Sequence, residues 1–357
     1  MLRGTARWLA GRESFPTSVR AVLGFYGKTG EFDLASLRLK RAVDAEVSAM
    51  IADAFEPVEA AIAAEFDRDA VTFAYDTKLV MPAKLALGYF YRRVEAPERR
   101  ERAEALTRLA IEALLDGDMR DARNDAEYGD FSVDFPTDDA DRARIAALAQ
   151  ETLAERVESR FEHFAPGVRE AYEWAVEVSE AHQDADERFR ELLAAAEEGD
   201  DGARDAIRAE YRDADFDAEP PTLSAADCEL PYARTQYDRV GVIYDGMLRM
   251  YEAAGFDADP AFGRSIVLAI VGAQVWLDDV DDYRADRREG QLTPVTAEYV
   301  LADGDGAAYR RVVDISETYL ERAERAAKEA DSPLTGIATE YIYRKGRPGT
   351  LPGAGRK

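Results

Sequence analysis

The chain has 357 residues, of which 46% are hydrophobic, enough to bury a sizeable core in one large domain or two smaller ones. Its 72 acidic residues outnumber its 46 lysines and arginines, so the formal net charge is −26. A surface this acidic repels nucleic acids and anionic membranes, which argues against proteins of those classes. It is typical of proteins from salt-accumulating organisms, so most acidic residues are interpreted as hydrated surface.

The few cysteine and histidine residues exclude several kinds of site. A single cysteine, Cys228, cannot form an intramolecular disulfide or a cysteine-rich metal site. Two histidines, His163 and His182, exclude a multi-histidine metal centre and argue against a Ser-His-Asp triad. The N-terminal residues lack the apolar region of a secretory signal, and no apolar run reaches the roughly 20 residues of a membrane span. We therefore expect a cytoplasmic protein without a transmembrane segment.

Apolar residues recur at steps of three and four over most of the chain, which predicts helices rather than strands. In the first long segment this spacing places Val43, Val47 and Met50 on one face, and Pro57 is expected to kink or divide that segment. The predicted helices, in chain order, are 34–66, 78–93, 103–115, 143–164, 168–196, 232–254, 260–286, 309–329 and 334–344. The predicted fold class is all-α.

Three segments depart from this helical pattern. Residues 116–141, which are rich in Asp and contain Gly117, are predicted to form an acidic excursion from the helical domain, as are residues 197–230. The basic segment 344–357, rich in Gly and Pro, is predicted to be a flexible tail. The prediction is therefore a single all-α domain over 1–343, followed by this tail.

The segment 265–286 carries the strongest indication of chemistry. Residues 265–277 are almost wholly apolar, which predicts a centrally buried helix that continues without a breaker into a run of aspartates. Steps of four residues place Asp278, Asp282 and Asp286 on one face, with Asp279 beside them. Carboxylates at this spacing repel each other, and Mg²⁺, which prefers oxygen ligands and often joins carboxylates to phosphate, removes that repulsion. We predict a magnesium site here.

This run of aspartates resembles the second aspartate-rich motif of the trans-prenyl diphosphate synthases, which belong to class I of the isoprenoid (terpenoid) synthase superfamily. The letters D-D-V-D-D-Y-R-A-D at 278–286 match the family pattern D-D-x-x-D followed by a further Asp four residues on. Gln274 lies one position before the glutamine of the family, and E-G-Q-L-T-P-V at 289–295 is similar to its E-G-K-x-T-L-P segment, with Gln291 in place of Lys. The resemblance covers about residues 232–301.

The resemblance implies a first acidic motif that faces the second across a helical cavity. The best candidate is Asp121 with Asp125, although Gly117 is expected to break the helix there. The acidic residues 184–187 are a rival candidate. The resemblance also implies basic or polar residues that hold the diphosphate. The candidates for that role are Lys78, Arg234, Gln274 and Arg287.

The fold that the resemblance implies is an isoprenoid-synthase-like helical bundle around a central cavity, with the aspartates at its mouth. The implied activity is the magnesium-dependent ionisation of an allylic prenyl diphosphate by a prenyltransferase or terpenoid synthase, which could act as a homodimer. Elongation, condensation and cyclisation are all compatible with the motif. Two alternatives stay open: a non-catalytic member of this fold that acts as a lipid-binding or regulatory subunit, and a helical protein whose acidic cluster is only hydrated.

Overall fold

The structure is a computed structural model that describes residues 6, 8–12, 14–30, 34–124, 126 and 128–355. It is mostly helical with one pair of very short strands, which confirms the all-α prediction at the level of fold class. The chain contacts divide it into two compact units. The first unit contains Met1–Phe32, Tyr172–Gly246 and Ala258–Lys357, and the second contains Asp33–Ala171 and Met247–Asp257. A division by contacts does not show whether the chain folds as one domain. The single domain therefore stays a prediction.

Helices follow one another with short connections, and several are extended by π-helical segments, in which one residue is inserted into the turn. In chain order the helices are α1 (Thr17–Thr29), α2 (Leu34–Glu65), α3 (Met81–Tyr91), α4 (Pro97–Asn124), α5 (Asp139–Phe161), α6 (Pro166–Gln183), α7 (Asp186–Glu197), α8 (Asp201–Ala206), α9 (Ala225–Cys228), α10 (Ala233–Gln236), α11 (Val242–Ala253), α12 (Pro260–Ala273), α13 (Asp279–Glu289), α14 (Pro294–Leu301), α15 (Asp305–Glu329) and α16 (Pro333–Lys345). The π-helical segments are Ile207–Arg212, Tyr237–Gly241 and Gln274–Asp278, and the 3-10 turns are Lys78–Val80 and Pro348–Thr350.

In the second unit, helices α2, α4 and α5 pack together around apolar side chains that recur at helical spacing. Val43 and Met50 of α2 are fully buried, which confirms the predicted face. Helix α2 continues through Pro57, so this proline does not divide the segment. Val58 and Ile62 beyond it are also buried, and their burial offsets the hydrogen bond that the proline cannot donate.

The stretch 116–141 is more regular than the sequence predicts. Helix α4 runs through Gly117 to its end at residue 124, so the expected break at this glycine is wrong. Leu115 and Met119, on either side of Gly117, are both about 1% exposed, and their burial holds the intervening turn in the helix. A glycine in a helix costs only about 0.5–1 kcal/mol relative to alanine, less than the burial of either neighbour contributes.

The substitution Gly117→Ala is expected to raise the free energy of unfolding by about 0.5–1 kcal/mol, because a Cβ at this helical position meets nothing within 4 Å. Chemical denaturation measures the change. The control is Gly272→Ala, where the added Cβ would lie 2.9 Å from Leu320 Cδ2. Overpacking there is expected to cancel or reverse the gain in helix propensity. Equal effects of the two substitutions would contradict this account.

The two strands β1 (Phe73–Tyr75) and β2 (Phe131–Val133) pair antiparallel, with Phe73 opposite Val133. The sequence did not predict them, because alternation over three residues is too short to detect. The predicted excursion 197–230 also contains regular structure, namely α8, the π-helical segment after it and α9. These helices begin at acidic or hydroxyl caps: Asp200 and Ser224 each accept a hydrogen bond from a backbone N–H of the first turn.

In the first unit, α12 packs against α15, and α15 packs against α16. Residues Ile266, Leu268 and Val271 of α12 are each at most 2% exposed, which confirms the predicted buried helix. Among the described residues, one helical stretch, 260–289, is long and apolar enough to cross a membrane, and 67% of its most apolar window is buried inside the protein. Core helices of soluble proteins share these properties, so the stretch is weak evidence for a membrane span.

The C-terminal segment 344–357, for which a flexible tail stays the prediction, makes several contacts as far as the structure describes it. Its first two residues complete α16, and Leu351 is only 4% exposed in a cluster with Val295 and Val312. The hydroxyl of Tyr299 donates to the carbonyl oxygen of Pro352 at 2.6 Å. One buried leucine and this hydrogen bond hold the segment on the first unit as far as the described residues extend.

Candidate functional site

The predicted aspartates follow the π-helical segment Gln274–Asp278, which joins α12 to α13 without a break. Asp279 lies four and three residues after the buried Val275 and Trp276, so it belongs to the buried face of the helix and Asp278 does not. Asp279 is 2% exposed and Asp286 is half-buried, whereas Asp278 and Asp282 are exposed. The four predicted aspartates thus lie close together in the chain at the start of α13, with Asp279 the most buried, and their assignment as metal ligands stays a prediction.

Asp279 has an incomplete set of partners for a buried carboxylate. Gln274 Nε2 donates to its Oδ1 at 3.3 Å, and Arg239 Nη1 lies 3.6 Å from the same oxygen. Its Oδ2 is buried and has no hydrogen-bond partner among the described residues. Burial raises the pKa of Asp279 to about 7, and the charges of Asp286 and Asp278 add to this rise, while Arg239 and Gln274 oppose it. At neutral pH this carboxyl is therefore divided between its protonated and ionised forms.

Asp282 and Asp286 lie three and seven residues after Asp279, on the same face of α13. Burial raises the pKa of Asp286 to about 6, and the neighbouring charge of Asp282 raises it further. A hydrogen bond from the Thr293 side chain opposes these effects. Burial also raises the pKa of Asp282, and the charges of Asp281 and Glu289 raise it further. This face thus carries three carboxyl groups whose ionisation is disfavoured, and a cation there would relieve all three.

Arg239, in the π-helical segment Tyr237–Gly241, supplies the positive charge of this cluster. Burial lowers the pKa of its guanidinium, but the negative charges of Asp279, Asp186 and Asp286 outweigh that effect and raise it. Asp186 belongs to the acidic residues 184–187, the rival candidate for the first motif. The fold therefore brings one residue of that rival segment into the electrostatic surroundings of Arg239.

His182, at the end of α6, completes the group of titratable residues around Arg239. Burial lowers the pKa of the imidazole to about 4, and the positive charges of Arg239 and Arg234 lower it further. Its ring lies 6.0 Å from the ring of Phe189, centroid to centroid. At neutral pH the ring is therefore uncharged, and it can bind through hydrogen bonds but not through charge. The sequence did not indicate that His182 lies near Arg239, since neither histidine lies within a recognisable motif.

The other candidates for diphosphate binding in the first unit already have acidic partners. Arg234 pairs with Asp217 at 2.8 Å, and Arg287 pairs with Glu197 at 2.9 Å. Gln274 is the candidate that lies directly against the aspartates, through its hydrogen bond to Asp279. A diphosphate held by either arginine would therefore have to replace an existing exposed ion pair, which costs about 1 kcal/mol or less.

The predicted first motif and its lysine lie in the second unit. Asp121 is an exposed residue near the end of α4, and Asp125 lies outside the described residues. Lys78 is exposed and pairs with Asp76 at 2.5 Å. Asp118, one helical turn before Asp121, has a raised pKa because of burial and of its acidic neighbours, and it accepts a hydrogen bond from the Tyr75 hydroxyl. The assignment of Asp121 and Asp125 as metal ligands stays a prediction.

Six other acids among the described residues are also buried, and they differ in their partners. Four of them have two cationic partners each, with nitrogen–oxygen distances of at most 3.5 Å. These doubly paired acids are Glu112 (Arg156 and Arg160), Asp227 (Arg264 and Arg322), Glu298 (Arg212 and Arg311) and Glu340 (Lys28 and Arg344). Asp279 has one cationic partner, at 3.6 Å. Asp116 has one cationic partner, Arg120 at 2.9 Å, and Asp245 accepts hydrogen bonds from the hydroxyls of Thr222 and Tyr237. Burying a carboxylate is costly unless it is paired, so an added cation would stabilise the ionised form of Asp279.

The residues of this face fit a magnesium ion only in part. Among the described residues, no three or more His, Cys, Asp or Glu side chains are grouped so that they could hold a metal ion. Mg²⁺ often takes only one or two protein carboxylates and completes its shell with water and phosphate oxygens. Asp279 and Asp286, or Asp282 and Asp286, can supply that minimum. The protein residues alone do not form a closed metal cage.

A pocket of about 340 Å³ lies elsewhere, in the second unit. Its lining comes from α4, α5 and the residues just after α5, and none of the four aspartates contributes to it. This pocket is therefore not the cavity at whose mouth the aspartates are expected. Their position at the mouth of an interior cavity stays a prediction.

Comparisons with known proteins leave the resemblance as the only link to a family. No family model matches this chain, and no curated protein or solved structure matches it either. The likeness to isoprenoid synthases therefore rests on the motif at 278–286 and its flanking residues.

Proposed function

We propose that this protein binds magnesium and a prenyl diphosphate at the aspartate face of α13, as a class I prenyltransferase or terpenoid synthase with an isoprenoid-synthase-like fold. The observation that carries the proposal is the buried carboxylate of Asp279, which has one distant cationic partner and an oxygen without a hydrogen bond. Asp282 and Asp286 on the same face, both with raised pKa values, support it.

Each group of this site has a separate part in the proposed reaction. Asp279, Asp282 and Asp286 would hold magnesium through carboxylate oxygens, at most two of them on any one ion, and Gln274 orients Asp279 through its amide. Magnesium bound there would neutralise the diphosphate and so make it a better leaving group. Arg239 provides a second positive charge on the same side. The apolar side chains of α12 before the aspartates are suited to exclude water from an allylic cation.

A lipid-binding or regulatory role without catalysis is the second candidate. One observation that favours it is that no three acidic side chains among the described residues are grouped to hold a metal ion. Another is that Asp186 is the one acid outside α13, in the described part of the chain, whose charge raises the pKa of Arg239. Such a protein would bind a prenyl diphosphate but would not release inorganic diphosphate from it. Hydration alone explains the exposed Asp278 and Asp281, but it does not explain a buried Asp279.

Thermal stability in the presence of ligand tests the proposal. Farnesyl diphosphate with magnesium is expected to stabilise the wild type by about 2.7 kcal/mol at a roughly hundredfold excess over Kd, because it binds only the folded state. Without magnesium the effect should be small, since a chain of charge −26 repels the diphosphate. The double substitution Asp279→Asn with Asp286→Asn should abolish the stabilisation.

The control for this experiment is Asp281→Asn, which removes an exposed charge from the same helix and should leave the ligand effect unchanged. Equal stabilisation of the wild type and the double variant would mean that these aspartates do not bind the ligand, and the proposal would fail. Measuring released diphosphate then separates the two candidates: release by the wild type supports an enzyme, and binding without release supports a lipid-binding protein.

A further inference from the structure

The pocket of the second unit is formed by two helices and the turn after the second one. It has a volume of about 340 Å³, at the small end of the range for ligand sites. Its lining combines apolar side chains with two guanidinium groups and an imidazole. The lining residues are Ala105 of α4, Arg156, Ser159 and Arg160 of α5, and His163 and Phe164 just beyond α5.

Both arginines are held in place by the buried carboxylate of Glu112. Arg156 donates to its Oε1 through Nε at 3.0 Å and through Nη2 at 2.7 Å. Arg160 donates through Nη2 to Oε1 at 2.8 Å and through Nε to Oε2. One carboxylate thus orients two guanidinium groups, and the three side chains together keep a net positive charge. Glu112 is fully buried, whereas each arginine side chain is 27% exposed.

The edges of these groups that do not contact Glu112 are available to a ligand. For the Nη1 atom of either arginine, no hydrogen-bond partner is found in the part of the chain that the structure describes. His163 has its Nδ1 3.1 Å from the carbonyl oxygen of Ser159, so Nδ1 donates there and Nε2 of the neutral ring is an acceptor, which leaves the guanidinium groups as the donors for an anion. The pocket therefore presents fixed donors beside an apolar wall that includes Phe164.

We propose that this pocket binds a small organic anion, a carboxylate or a phosphate ester that carries a compact apolar group. The planar guanidinium groups of Arg156 and Arg160 match the oxygens of such an anion and form charge-assisted hydrogen bonds to it. Glu112 holds both groups in one orientation, so little side-chain entropy is lost when the ligand binds. The apolar group of the ligand lies against Ala105 and Phe164. The site requires no metal and is separate from the aspartate face of α13.

Isothermal titration with simple probes in the presence of EDTA tests this inference. Phenyl phosphate and benzoate represent the two ligand chemistries, and benzyl alcohol and inorganic phosphate lack the charge and the apolar group respectively. At constant ionic strength, at least one of the two organic anions should bind about tenfold more tightly than benzyl alcohol or inorganic phosphate. Binding of one probe alone identifies the ligand as a phosphate ester or a carboxylate. Equal binding of all four probes, or of none, would overturn the proposal.

Two variants locate the binding. Ala105→Phe fills the pocket and leaves both arginines in place, and Arg160→Lys keeps a positive charge beside Glu112 but removes the planar group. Each should weaken binding of the preferred probe by about tenfold or more. The matched control is Arg144→Lys, on the same helix but in an exposed pair with Glu65, which should bind like the wild type. If both pocket variants bind like the wild type, or if the control loses affinity equally, the proposal is wrong.

Discussion

Replacing Asp279 with asparagine is expected to raise the stability of the metal-free protein above pH 7 by up to about 4 kcal/mol. Burial raises the pKa of this carboxyl from 3.8 to about 7 in the folded state. The stability that this carboxyl contributes is complete below its pKa in the unfolded state, 3.8, and is lost as the pH rises through its pKa in the folded state, about 7. The wild type should therefore become less stable between about pH 4 and pH 7, and asparagine, which cannot ionise, should not show that loss. Arg239 loses a partner but remains about a third exposed, so it keeps part of its hydration.

Urea denaturation in EDTA over a pH series measures the effect of Asp279→Asn. The control is Asp281→Asn, an exposed residue on the same helix, which should change stability by less than about 0.5 kcal/mol at every pH. Parallel pH profiles for the wild type and Asp279→Asn would show that this carboxyl does not carry a raised pKa. If the proposed function is correct, magnesium with prenyl diphosphate should stabilise the wild type at high pH but should not stabilise the variant.

The substitution Asp227→Asn is expected to destabilise the protein by about 3–5 kcal/mol, because it leaves two arginines without their shared partner. Asp227 is fully buried and lies 2.6 Å from Arg264 and 2.9 Å from Arg322. Burial alone would raise its pKa, but hydrogen bonds from Arg264, Ser224 and Arg322 lower it to about 2. The ion pairs are thus intact above about pH 4, and their contribution is lost as the pH falls through about 2.

Denaturation at neutral pH compares Asp227→Asn with Asp205→Asn, whose carboxylate is 76% exposed and pairs with Arg208 at 2.6 Å. This exposed pair should contribute less than about 1 kcal/mol. A similar small effect at both positions would mean that burial does not distinguish these ion pairs. The comparison also bears on the acidic composition, because it separates acids that stabilise the core from acids that only hydrate the surface.

The contrast between the doubly paired acids and Asp279 has a functional meaning. Glu112, Asp227, Glu298 and Glu340, four of the seven buried acids among the described residues, are each neutralised by two cations from the same chain. Asp279 departs from that arrangement within the motif that resembles a metal-binding sequence. A bound cation would give Asp279 a second positive partner. For this reason the ligand experiment and the pH experiment address the same residue.

The sequence alone determined the local features of this protein. Apolar spacing predicted most helices, because a helix repeats its contacts every three to four residues and leaves that period in the sequence. The apolar run 265–277 predicted the buried helix α12, and its continuation located the cluster of aspartates at the end of that helix. Gly117 was misjudged, because a propensity of about 1 kcal/mol is easily outweighed by the burial of Leu115 and Met119.

The tertiary structure decided which residues surround the aspartates. Packing around the π-helical segment Gln274–Asp278 and α13 buries Asp279 and leaves Asp278 exposed, a difference that two adjacent aspartates do not show in the sequence. Arg239, Asp186 and His182 join the cluster from helices far apart in the chain. Such contacts depend on how helices pack against each other, and local spacing contains no information about residues that meet only after folding.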